Sequence, residues 1–224
     1  MVERFTDHLR RVVDSIWEAQ HAHPFVCGIG DGSLDLDKFR FWVRQDYLFL
    51  VDYCRVFALG VARAPDLATM GVLAELLHST LKAEMDLHRS YAAEFGISHA
   101  ELEAETKWPA TQGYTDFLIR TAAVGDFAEL AAALLPCMWG FSEVGRRLAL
   151  GGRPEDPRYA KWIDVYSASD FAKLAEWCRG LVDRLAVDAG PDTRRRLEDA
   201  FVTSSRYELS FWTQAWEYST GGWR

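Results

Sequence analysis

The chain has 224 residues and a formal charge of −8, and 49% of its residues are hydrophobic. That length and apolar share exclude a generally disordered chain and suit one large helical domain with a substantial core. The acidic balance gives no overall attraction to nucleic acid or to an anionic membrane, so neither is an expected partner.

The N-terminal stretch MVERFTDHLRRVVDSIW is broken by charge every few residues. It lacks the uninterrupted apolar section of a signal peptide or membrane anchor. Cys27, Cys54, Cys137 and Cys178 are widely spaced and form no CxxC pair. They read as reduced thiols, which points to a cytoplasmic protein.

Residues 3–20 place Phe5, Leu9, Val12, Val13 and Ile16 at the spacing of an amphipathic helix. HPFVCGIGDGS, residues 23–33, reads as a loop, and it lacks the lysine and serine or threonine of a phosphate cradle. A second helix is expected over about 35–63, with Phe39, Trp42, Phe49 and Tyr53 on its apolar face. Residues 65–96 form another long helical unit ended by Gly96, and Ser98 with Glu101 suggests a capping box. WPATQG interrupts before YTDFLIRTAAV supplies the next helix. The helix beginning near Asp126 carries LLPCMWGFSEVG, where Pro136 is expected to kink it beside Cys137. RPEDPRY is a turn; helices follow over 158–167 and 169–187, and a final long helix starts near Asp192. No sustained alternating strand pattern competes. The expectation is an all-α fold in a single domain, residues 1–224.

Cys137 is a candidate nucleophile, although burial as a small hydrophobe would explain it equally. No histidine lies within a turn of it and none follows His99, so carboxylates are the better partners to consider. Asp46, between Trp42 and Phe49 in RFWVRQDYLFL, is either an arginine's salt-bridge partner or an acceptor for a ligand N–H. Glu208 shares a mostly nonpolar stripe with Ser204, Phe211 and Ala215. It either anchors the last helix or, with a raised pKa, carries protons. Tyr114 and Tyr166 lie near turns, and with Phe49, Phe141 and Phe211 they are ordinary core aromatics or the walls of a ligand site.

A metal reading rests on ELLH, residues 75–78, and on Glu84 and His88. A two-metal helical bundle needs inward glutamates on four helices and a second acid–xx–histidine pair, and the later half of the chain has no histidine. Glu84 and His88 then pair with each other within the helix, and no metal or cofactor is expected.

RQDYLFL, the EMDLH segment, LLPCMWGFSEVG and YELSFWTQAWEYS occur in an order and spacing that resemble the TenA/thiaminase II family of aminopyrimidine aminohydrolases. The likeness covers nearly the whole chain. It implies a compact multi-helix bundle of TenA/haem-oxygenase-like architecture, assembled as a homotetramer around enclosed pyrimidine pockets. It also implies Cys137 as nucleophile, Glu208 as proton-transferring acid and Asp46 as the carboxylate holding the aminopyrimidine. Tyr114, Tyr166 and Phe211 match pocket aromatics, while Phe49 and Phe141 stand where tyrosines are often found. The implied reaction hydrolyses 4-amino-5-aminomethyl-2-methylpyrimidine, with thiamin cleavage as a related activity. The alternatives are a PqqC-like or dimetal helical oxidase and a non-catalytic pyrimidine-binding or regulatory protein.

Overall fold

Helices make up all the regular structure among the described residues, 3–219 of a computed structural model. Residues 1–2 and 220–224 of the expected domain lie outside them. In chain order, the first half holds α1 (Phe5–Val12), α2 (Asp14–His21), α3 (Pro24–Asp31), α4 (Leu36–Arg63) and α5 (Leu67–Ser79). A π turn (Thr80–Glu84) leads into α6 (Met85–Glu94), followed by α7 (His99–Glu103) and α8 (Pro109–Val124). The second half holds α9 (Phe127–Leu135), a second π turn (Pro136–Gly140), α10 (Phe141–Leu150), α11 (Pro157–Ser167), α12 (Ser169–Val187) and α13 (Pro191–Glu217). Backbone packing divides these into two units: one joins residues 3–35 to Ala128–Trp216, and the other is Leu36–Phe127 with residues 217–219.

In the first unit, α1 and α2 are one amphipathic pattern broken at Val13, where the backbone departs from helix (φ −101°, ψ 11°). Leu9, Val13 and Trp17 stay buried through the break, so the apolar stripe survives the change of direction. The expected loop over 23–33 is instead helix α3 for most of its length. Pro24 occupies the first turn, where a missing N–H costs nothing, and the His23 ring accepts from the Phe25 N–H as a cap. Only Gly32, at φ 79°, supplies the left-handed stop.

The run Phe127–Leu150 is long and apolar enough to cross a membrane by length and composition, but 67% of its most apolar window is buried. Burial of that extent marks it as a core helix. Its π turn starts at Pro136, whose lack of an N–H removes the ordinary hydrogen bond to the preceding turn. Proline here widens a turn within a continuing helix, and the expected kink takes that form.

Helix α4 organises the second unit, packing against α5, α6, α7, α8 and the first π turn. Phe39, Trp42, Asp46, Phe49, Tyr53 and Phe57 recur every three or four residues and are all buried. The Gln45 side chain donates to the Thr106 carbonyl and accepts from the Trp108 N–H, fixing the segment before α8. WPATQG is therefore only briefly an interruption: Pro109 is the first residue of α8, and Tyr114 lies inside that helix, away from the turn expected beside it. The capping box of Ser98 and Glu101 forms as expected at the start of α7.

Candidate active site

The second unit presents Asp46, Phe49 and Tyr114. Asp46 is only 5% exposed, and its Oδ2 lies 2.6 Å from Nε2 of His88. The arginine salt bridge considered for Asp46 is replaced by this histidine, 42 residues away in sequence. Among the described residues, no hydrogen bond to the other oxygen, Oδ1, competes for it. The Phe49 and Tyr114 rings meet at 5.0 Å between centroids, and Tyr53 stacks on Phe49 at 5.2 Å. Those contacts bring α4 and α8 together through aromatic surface.

The pairing of Glu84 with His88 expected within the helix is present as a hydrogen bond to the Glu84 backbone carbonyl. The His88 Nδ1 lies 2.9 Å from the Glu84 backbone carbonyl, while its Nε2 is engaged by Asp46, so the Glu84 carboxylate is not its hydrogen-bond partner. Burial pushes the Glu84 carboxyl up to about 7, with Asp46 adding to the rise and His88 opposing it. Among the described residues, no three histidine, cysteine, aspartate or glutamate side chains converge to hold a metal ion.

The first unit presents Cys137, Phe141, Tyr166, Glu208 and Phe211. Cys137 is the second residue of the π turn and is partly exposed, whereas its flanking residues Pro136 and Met138 are buried. A widened turn re-aims the side chains it carries, and such turns recur at functional sites. The stripe expected on α13 is present: Ser204, Glu208, Phe211 and Ala215 are all buried. The Ser204 hydroxyl donates to the Ala133 carbonyl at 2.7 Å, and the Trp212 and Phe141 rings meet at 5.1 Å. These two contacts bracket Cys137 on one helical run and Glu208 on the other, each one turn from either contact.

Tyr166 packs on Phe141 at 5.0 Å and on Trp162 at 4.6 Å. Its position depends on Gly145, where an added Cβ would lie 2.5 Å from the Tyr166 carbonyl carbon. Two other thiols are poor nucleophiles: burial pushes Cys54 up to about 11 and Cys178 up to about 12. Glu143, near Cys137 in sequence, bonds instead to Arg10 at 3.0 Å. The sequence points to His88 only as a metal ligand or as the helix partner of Glu84, and it does not single out Gly145. The sequence holds Glu84-x-x-x-His88, but its four-residue spacing points within the helix and not across to α4; Gly145 carries no signal beyond its identity.

A match to the TENA/THI-4/PQQC family extends over residues 10–218. The chain belongs to that family. It is 43% identical, over 96% of its length and 99% of the relative's, to a protein of Halalkalibacterium halodurans named aminopyrimidine aminohydrolase. A Bacillus subtilis protein of the same name is 39% identical over 98% of this chain and 92% of its own. Among solved structures, a TenA homologue from P. horikoshii OT3 superposes with a TM-score of 0.89 at 30% identity, covering 96% of this chain and 99% of its own. The all-α TenA-like architecture implied by the sequence motifs is thus the architecture of the family, and a single family match runs through both units.

Proposed function

We propose that this protein is an aminopyrimidine aminohydrolase that converts 4-amino-5-aminomethyl-2-methylpyrimidine and water to the 5-hydroxymethyl compound and ammonia. Near-full-length likeness to proteins of that name supports the reaction class. The observation that supports the residue assignment is that Cys137 and Glu208 each lie one turn from the same two side-chain contacts between their helical runs. Asp46 adds a buried carboxylate whose Oδ1 is left for a ligand donor.

In the proposed cycle, the Cys137 thiolate adds to C6 of the pyrimidine, and Asp46 accepts from the amino-pyrimidine N–H groups. The adduct expels the amine at the 5-methylene as Glu208 supplies its proton, leaving ammonia and an exocyclic methylene. Water adds to that methylene and returns a proton to Glu208. Departure of the thiolate from C6 then restores the aromatic ring. Phe49, Tyr114, Phe141, Tyr166 and Phe211 supply apolar and ring-stacking walls. Phe49 and Phe141 offer no hydroxyl, so orientation falls more heavily on Asp46 and the two tyrosines.

The whole chain acts as one catalytic domain, and the active form is a homotetramer. Helix α5 supports assembly: Leu67, Ala68, Gly71 and Ala74 are exposed on a helix that is apolar nearly all round. Light scattering should give four times the 25.5 kDa chain mass; a monomer would remove that part. Incubation with the aminomethylpyrimidine and with thiamin, side by side, tests the activity. Hydroxymethylpyrimidine should form from the first substrate faster than from the second. Binding of either without product would overturn the enzymatic reading.

A further inference from the structure

We propose that His88 is a positioning residue for this reaction: an imidazolium that holds Asp46 through Oδ2 and leaves Asp46 Oδ1 to accept from the substrate. The proposal rests on the assignment of Asp46 to the aminopyrimidine. Its starting point is the bonding of the ring. The Glu84 carbonyl is an acceptor only, so the His88 Nδ1 facing it at 2.9 Å carries a proton. The other nitrogen faces Asp46 Oδ2 at 2.6 Å, a short bond of the kind a charged donor and acceptor make. With Nδ1 already protonated, a charged His88 donates through both nitrogens to two fixed acceptors. The ring is thereby locked between α4 and the start of α6.

Both partners are almost fully enclosed, His88 at 1% and Asp46 at 5% exposure. An isolated carboxylate at such a site would take up a proton, and its hydrogen-bonding role toward a ligand N–H would weaken. The charged groups acting on His88 are Asp46 from α4 and the Glu84 side chain from the π turn; among the described residues, none from α5, α7 or α8 acts on it. Cys54 of α4 is a neutral thiol facing Glu84, and the uncharged Trp42 ring lies 5.7 Å from the imidazole. Burial alone would lower the His88 pKa, but the Asp46 charge and hydrogen bond, the Glu84 carbonyl and the Glu84 charge together raise it above the ordinary imidazole value. The π turn places the Glu84 carbonyl where the ring needs its second acceptor. A histidine that resembles a metal ligand in sequence thus has both nitrogens committed elsewhere.

The test combines imidazole 15N NMR with kinetics on the intact protein. The wild-type His88 ring should show both nitrogens protonated at pH 7 and titrate above the ordinary value; in D46N it should be neutral at pH 8. With the aminomethylpyrimidine, H88Q should raise KM by about tenfold or more and shift the acid limb of kcat/KM upward by about one pH unit. A purely structural role would lower Tm without moving that limb. A neutral His88 in the wild type at pH 7 would overturn the proposal, as would unchanged KM and pH profile in H88Q beside a defective D46N. Full activity in D46N would instead sink the Asp46 assignment, and the proposal with it, even if His88 proved charged. Should H88Q fail to fold, H88N is read by the same assays, and the wild-type titration needs no variant at that position.

Discussion

Replacing Gly145 with alanine would place a methyl group where α10 meets α11 with no space to receive it. The new Cβ would stand 2.5 Å from the Tyr166 carbonyl carbon, 2.7 Å from its Cβ and 2.8 Å from the Ser167 nitrogen. Two of those three atoms are backbone, so a side-chain rotation cannot relieve the contact. Ordinary contact begins at 3.4 Å, so the helices must separate by roughly 1 Å there. Overpacking of this kind costs about 1–3 kcal/mol. For a chain of this size each kcal/mol lowers Tm by about 2–4 °C, so a fall of roughly 2–12 °C is expected. The displaced residue is Tyr166, whose ring packs on Phe141 and Trp162, so activity should fall further than stability accounts for. Thermal unfolding followed by circular dichroism, with kcat/KM measured well below Tm, separates the two effects. A G145A protein with wild-type Tm and wild-type kcat/KM would refute the close-approach reasoning.

Other outcomes follow from the titrating groups. The Glu84 carboxyl is raised from 4.5 to about 7, so the folded state holds a proton that the unfolded chain releases first. Its effect on stability is absent below about pH 4.5 and unfavourable above 7, so E84Q should be stabilised at pH 8–9 by up to about 3 kcal/mol and unchanged at pH 4 in urea titrations. Burial would raise the Asp52 pKa, but hydrogen bonds and charge from Lys107 and Arg55 hold it below the usual carboxylate range. The stabilisation is therefore full at neutral pH and lost as pH falls through the depressed folded value. D52N should cost about 2 kcal/mol at pH 7, with the deficit vanishing in strong acid. E208Q should retain binding of the pyrimidine, measured by calorimetry, while kcat falls by about a hundredfold or more.

The long elements were legible because burial imposes a period. Helices α4 and α13 carry apolar residues every three or four positions over 28 and 27 residues, respectively, and chain chemistry alone marks such faces. Helix α3 was not, because glycine and proline report local freedom while their use here is tertiary. Gly28 is small because a Cβ would lie 3.0 Å from Leu34, and Pro24 begins a helix instead of breaking one. The same limit governs the site. Asp46 and Glu208 stood out as carboxylates on apolar faces, but the partner of Asp46 lay on another helix. Cys137 was visible as a thiol after proline, whereas the π turn that presents it depends on helical hydrogen bonding that no residue pattern displays. The roles of Cys137, Glu208, Asp46 and the aromatic residues came from family resemblance, and periodicity could not have supplied them.

The most direct test of the whole account is single-turnover conversion of the aminomethylpyrimidine by C137S, with its fold checked by circular dichroism. Hydroxymethylpyrimidine formation should fall at least a thousandfold in order of magnitude, because the hydroxyl is a far weaker nucleophile than the thiolate. Wild-type turnover by the folded serine variant would contradict it.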